Sequence, residues 1–455
     1  MINNIKLFIL LMVILYIINV NIYIKNENIN FNDNYYNIQK DYNLSFKNKI
    51  KRKINIGIFA IGLKNGGRAR ITSQLIKYLI KIKIFNIILF TQKSKEDNEY
   101  INKEITKRIL INNYNIYNLI KENKKRKIDI LIYQLSNFTE IEFLNNIKNM
   151  KIIYYLHQSI LYWVYFNYSF FKSLYKAYQN SKYIISLVPF ENNYLFKKWG
   201  ISSILMDNFV TFDYNCIISS SLSSKIILMI GRGADKYKRF QHGIQSMEYI
   251  IEDISKCEMR IISELEFIYT LKEFVSNLNL NNVINFLGYS LILDVHLKNA
   301  SLHFFPTLSE SFGLVLSETK IYGIPNILLG LDYVTIAKKG TIIIYDDTPE
   351  SIAKASLKIL KNDKFKKHLG NDARKSMKIF SNKLLLQNWI KLFLSIYCGD
   401  IYYDNLRLKK GKKLIEYNMI TLLKNQIKLL KTRNAFFNNI TISNIGNFSF
   451  LEQLN

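Results

Sequence analysis

The feature that most limits the fold is a series of short apolar runs separated by helix-length polar segments. "INIGIFAI", "FNIILFT", "IDILIYQL", "KIIYYLH" and "KYIISLV" follow one another from residue 54 onward. Each run is continuously apolar and rich in β-branched residues, as expected of a strand covered on both faces. After the first run comes the turn "GLKNGG", and then "RARITSQLIKYLI", with Ile71, Leu75, Tyr78 and Leu79 at helical spacing. The pattern breaks at "MDNFVTFDYNCIISSSLSSK", residues 206–225, and then restarts with "KIILMIG", "CEMRIIS", "NVINFLG", "ASLHFFP", "IPNILLG" and "GTIIIYD". "PESIAKASLKIL" reads as a helix, with Pro349 at its entrance, where a missing N–H costs nothing. A chain of 455 residues is too long for one ordinary core, and 49% apolar residues can fill two. The expected class is α/β, with two consecutive Rossmann-like, doubly wound domains at 53–215 and 216–400.

The flanks differ in style. "LFILLMVILYIINVNIYI" runs from Leu7 to Ile24 without a charge. It is long enough, at about 27 Å, to cross a bilayer core as a helix. Lys6 precedes it and no small-residue cleavage site follows, so residues 1–24 are expected to form a single-pass anchor rather than a cleaved signal. Residues 25–52 read as a stem. From Arg407 to Arg433 the chain carries nine basic residues and one acid, Glu416. Residues 401–455 are therefore either a basic helix lying on a membrane or a solvated helix packed on the body. The expected location is a membrane of the endoplasmic reticulum or Golgi, with the side left open. Asn43, Asn137, Asn167 and Asn439 begin glycosylation sequons, which an Asn-rich chain also makes by chance.

The net charge is +28. Abundant Lys, Asn, Ile and Tyr point to codon bias, and membrane attraction is the next reading. No nucleic-acid motif accompanies the charge, so no nucleic-acid partner is expected. Cys216, Cys257 and Cys398 show neither disulfide nor zinc spacing.

Open parallel sheets bind ligands beyond the carboxyl ends of their strands, so candidate residues are sought there. Asn65, Gly66 and Gly67 follow the first strand and open a helix, a place suited to close backbone approach and to anions, or merely a turn. His157 follows "KIIYYL". Arg232, Lys236, Lys238 and Arg239 follow "KIILMIG" and suit a diphosphate, although a chain this basic clusters cations by chance. In "FPTLSESFGLVLSETKIYGIP", Glu310 sits in a loop above the sheet and Glu318 lies two helical turns on, rotated by roughly 80°. Either the pair holds one polyhydroxylated ligand, or one carboxylate caps the helix and the other faces water.

This combination resembles the retaining glycosyltransferases of family 4, often called group 1, which have the GT-B fold. "ESFGLVLSE" fits their Glu–seven–Glu signature. "IGRGADKYK", "NGGRAR", "YLHQS", "YGIPNILLG" and "GTIIIYDDTPESIAKASLKIL" resemble further motifs over about 54–396. The interdomain "LMDNFVTFD" lacks the family's usual Pro-Asn-Gly. The resemblance implies a transferase that moves a sugar from a nucleotide-diphosphate sugar to a glycan, lipid or protein acceptor. It implies that Arg232 and Lys238 hold the diphosphate and that Glu310 orients the sugar. His157 would contact the sugar at the reaction centre. Gly66 and Gly67 would admit phosphate, backbone N–H groups from Ser311, Phe312, Gly313 and Leu314 would contact it, and Glu318 would hold the ribose. Asp-x-Asp is absent, so no cofactor or obligatory metal is expected. The alternative is a catalytically silent binding protein on the same scaffold.

Overall fold

The computed structural model describes residues 50–399 except 64–65, 92–106, 112–115, 135–137, 146–150, 161, 163–167, 213, 233–237, 291–292, 332–333 and 347. The expected anchor, nearly all of the stem and the basic extension lie outside the described residues, as do Asn65, Lys236 and the four sequon asparagines. Among the described residues no helix is long and apolar enough to cross a membrane.

The first half contains β1 (Ile54–Ala60), α1 (Gly66–Leu79), β2 (Phe85–Thr91), β3 (Arg108–Leu110), α2 (Ile116–Lys125) and β4 (Ile130–Tyr133). It continues with α3 (Phe138–Asn145), β5 (Lys151–Tyr154), α4 (Tyr168–Gln179), β6 (Tyr183–Ser186), α5 (Pro189–Trp199) and β7 (Ile204–Leu205). The second half contains β8 (Ile226–Ile230), α6 (Phe240–Asp253), β9 (Glu258–Ile262), α7 (Leu265–Asn277), β10 (Ile284–Phe286), α8 (Asp294–Leu297) and β11 (Leu302–Phe305). It ends with α9 (Leu314–Ile321), β12 (Asn326–Leu329), β13 (Thr341–Ile344), α10 (Pro349–Leu360), α11 (Asp363–Ser376) and α12 (Asn382–Cys398).

Both sheets are wholly parallel. Their orders are β3-β2-β1-β4-β5-β6-β7 and β10-β9-β8-β11-β12-β13. Each winds outward in one direction from its first strand and then in the other, so each has one point where the order reverses, beside β1 and β4 in one and β8 and β11 in the other. The apolar runs account for this arrangement. Ile54, Ile56 and Ile58 of β1 and Leu89 and Phe90 of β2 are fully buried, because helices cover both sheet faces. The short β3 and β7 were not evident in the sequence: three residues and two residues are too few to show a period. Pro349 does open α10, where the Thr348 hydroxyl accepts from the Ser351 N–H at 3.2 Å.

Sequence order assigns α12 to the second domain, but the structure packs it on the first, against α1 and β4. Trp389 is buried against Tyr155, with ring centroids 5.4 Å apart, and Phe393 meets Phe85 at 5.6 Å. Lys151 donates to the carbonyls of Ile396 and Tyr397 at 2.9 and 3.0 Å, satisfying carbonyls that a helix end leaves open. Asn382 clasps the backbone of Val210 through both its amide groups, at 2.9 and 3.0 Å. The division at 400 therefore does not hold for residues 382–398. Nothing in the local pattern of an amphipathic helix states which of two apolar surfaces will receive it.

Candidate active site

The reversal points of the two sheets lie at one cleft. Its cavity, about 470 Å³, is lined by segments that leave the carboxyl ends of strands. From the first domain come Gly66, Gly67, Arg68 and Arg70 beyond β1, and His157 beyond β5. From the second come Arg232 beyond β8, Lys238 just before α6, Glu264 beyond β9, Tyr289 beyond β10, and Glu310, Ser311, Gly313 and Leu314 beyond β11. The size suits a small-molecule ligand, for which such pockets run from about 300 to 1,000 Å³.

Local geometry favours glycine at two positions, by a close approach at one and by backbone conformation at the other. A Cβ on Gly67 would come within 3.1 Å of the Leu314 side chain of the opposite domain. Gly313, immediately before α9, has φ +82°, in the left-handed region that residues with a Cβ rarely adopt. The chain thereby turns sharply from the Glu310 loop into the helix. Ser311 ties that loop to the first domain, its hydroxyl donating to the His157 carbonyl at 2.7 Å. Phe312 is 1% exposed, its ring packed in the core against Phe380, and it does not line the cavity.

Lys238 and Glu310 form an ion pair, and the ammonium lies 5.5 Å from the centre of the Phe305 ring. The two residues are thus joined rather than placed separately. Each side chain is only 16% exposed, so the pair sits at low dielectric yet faces the cavity.

The two glutamates of the signature part company. Glu310 lines the cavity, whereas Glu318 is completely buried inside α9. One Glu318 oxygen is paired with the Arg70 guanidinium and accepts from the Thr211 hydroxyl at 2.5 Å. Burial raises the Glu318 pKa, while Arg70 and the Thr211 hydrogen bond act in the opposite direction. Its second oxygen is buried and has no hydrogen-bond partner among the described residues. Sequence reasoning missed Arg70, Thr211 and Arg68. The "RAR" after the glycines was visible as the start of a helix, but its partner Glu318 lies 248 residues further along the chain.

His157 stacks against Tyr155, with ring centroids 4.2 Å apart, and its Nε2 is shielded and unpartnered among the described residues. Burial, and then the nearby positive charge of Arg68, push its pKa down to about 3. The imidazole is therefore neutral at physiological pH. Between pH 6.5 and about 3 the unfolded chain takes up a proton that the folded one refuses, so this group costs stability as pH falls through that window. His157→Gln is expected to flatten the acid side of the stability–pH curve. A His157 ring resonance titrating in NMR near the ordinary value, instead of far below it, would contradict the neutral ring.

Residues 218–376 match the family described as Glycosyl transferases group 1. Over 200 residues the chain is 26% identical to N-acetyl-alpha-D-glucosaminyl L-malate synthase of Bacillus anthracis, which covers 43% of this chain and 49% of that protein. Over 183 residues it is 24% identical to an exopolysaccharide phosphotransferase of Streptomyces coelicolor, covering 39% of this chain and 19% of that one. The chain thus spans about half or less of the lengths of these curated relatives. Among solved structures, sucrose-phosphate synthase from Thermosynechococcus elongatus superposes with a TM-score of 0.64 at 16% identity, over 76% of this chain and 100% of that one. Anabaena HepE, solved in complex with UDP and glucose, gives 0.64 at 12%, over 75% and 99%. These likenesses show the two-domain GT-B fold.

Proposed function

We propose that this chain is a glycosyltransferase that moves a sugar from a nucleotide-diphosphate sugar to a glycan, lipid or protein acceptor, with retention of configuration and without an obligatory metal. One observation carries the reading: the reversal points of two parallel sheets open on one cleft, where Arg232 and Lys238 from one loop meet the Glu310 carboxylate from another. The group 1 family match over the second domain and the UDP and glucose in the HepE structure agree with a nucleotide-sugar donor there.

In this reading Arg232 and Lys238 neutralise the diphosphate as the sugar leaves, a role otherwise open to a metal ion. Glu310 accepts from the sugar hydroxyls and is held in place by Lys238. The neutral His157 ring brings no second positive charge to the sugar, and its shielded, unpartnered Nε2 must be uncovered before it can meet a sugar hydroxyl. For Glu318 to hold the ribose, its contacts with Arg70 and Thr211 must open first, since the carboxylate has no exposed surface. Attachment to a membrane through residues 7–24 belongs to the same proposal.

The test is thermal stabilisation of the full-length protein by UDP, GDP and ADP, with and without EDTA, followed by transfer assays with sugars of the responding nucleotide. Stabilisation by one nucleotide, unchanged by EDTA, is the expected result. Absence of any nucleotide response from folded protein would overturn the donor site and leave a silent scaffold.

A further inference from the structure

Of the cations that line the cleft, Arg70 faces Glu318 and Lys238 faces Glu310. Arg68 differs: among the described residues no carboxylate pairs with it. It sits in the first turn of α1, and its Nη1 donates to the Gln134 carbonyl, just beyond β4, at 2.9 Å. That bond fixes one edge of a guanidinium and leaves most of its five N–H donors for something else. Across the same cavity stands Arg232 of the second domain. The two positive charges act on each other, for Arg68 binds its proton less tightly because of burial and then because of Arg232. The charge of Arg68 also reaches His157. Arg68, Arg232 and His157 line one cavity, with the same sign of charge arriving from both domains.

We infer that Arg68 is a donor-binding residue of the first domain that grips, together with Arg232, the sugar-bearing phosphate of the donor diphosphate. The inference rests on the function proposed above and adds a residue and a mechanism to it. Anionic phosphate oxygens between two guanidiniums turn their repulsion into attraction, and the planar fork of arginine matches those oxygens. The domains would then be held closed by the diphosphate itself. A nucleoside monophosphate, which lacks the sugar-bearing phosphate, would occupy the second domain without engaging the first. Arg68 and His157, the residue assigned to the sugar, line the same cavity, and this places Arg68 on that phosphate.

The experiment is calorimetric titration of the responding nucleoside diphosphate, and of its monophosphate, into full-length wild type, Arg68→Gln and Arg232→Gln. Arg68→Gln is expected to weaken the diphosphate by about 10- to 100-fold. The monophosphate should change by less than about threefold, which is under 1 kcal/mol. Without ligand, Arg68→Gln should melt no lower than wild type, because one of two facing charges is gone. If Arg68→Gln folds poorly, Arg68→Lys, which keeps charge but not the fork, replaces it, with about a tenfold loss confined to the diphosphate. Equal loss of both nucleotides would overturn the inference in favour of a structural role for the Gln134 contact. Unchanged diphosphate binding in Arg68→Gln, with binding lost in Arg232→Gln, would also overturn it and leave the proposed function standing. A wild type that binds no nucleoside diphosphate removes the proposed function, and this inference with it.

Discussion

Lys238→Met is expected to lower kcat/KM for sugar transfer by about 10³-fold, with most of the loss in kcat. Two effects act in the same direction. In the proposed reaction, the substitution removes a cation from the place where negative charge grows on the departing nucleotide. It also strips Glu310 of its ion-pair partner, so a carboxylate that is only 16% exposed is left to repel the diphosphate and to swing from its position. Methionine keeps the aliphatic length beside Phe305, so the packing there changes little. The measurement is initial rate against donor concentration, alongside thermal melting to show that the fold survives. A loss confined to KM would mean that Lys238 binds donor and transition state equally, and its assigned role would fail.

The largest effect on stability is expected from Trp389→Ala, at about 3–5 kcal/mol, the usual range for emptying an aromatic site in a core. Trp389 is 1% exposed and lies between Tyr155 and Phe393, both at 5.4 Å between centroids. Tyr155 in turn stacks on His157 and bonds to the Asn208 carboxamide oxygen. The cavity would therefore open behind the residue assigned to the sugar, so activity should fall at temperatures where the protein is still folded. Denaturant unfolding is followed by far-UV circular dichroism, because the change in tryptophan count from three to two alters the fluorescence signal itself. A loss below about 1 kcal/mol, within the range of ordinary surface changes, would mean that α12 is not part of the first core.

The strands that the sequence revealed were those with runs long enough and apolar enough to declare burial on both faces. "FNIILFT" is β2 to the residue, and "PESIAKASLKIL" is α10 to the residue. The cavity lining was legible where it follows strand ends, because Gly66, His157, Arg232 and Glu310 could be placed there from local pattern alone. What could not be read were pairings across the cleft. Arg70 and Glu318 are each unremarkable in their own helices, and only the folded chain brings them together. The same holds for Arg68 facing Arg232 and for α12 returning to the first domain. Periodicity states that a surface is apolar or charged, but not which distant surface will meet it.

The return of α12 has a consequence for how such a protein can be taken apart. The chain passes between the domains twice, near 210–217 and again near 377–382, where Asn382 is fastened to Val210. No single cut separates two whole lobes: a fragment ending at 215 lacks its Trp389 wedge, and one beginning at 216 carries an apolar helix with nothing to cover it. Exchange of the second lobe by recombination must therefore treat 382–398 as cargo of the first, grafting an internal cassette between two crossover points instead of swapping a tail.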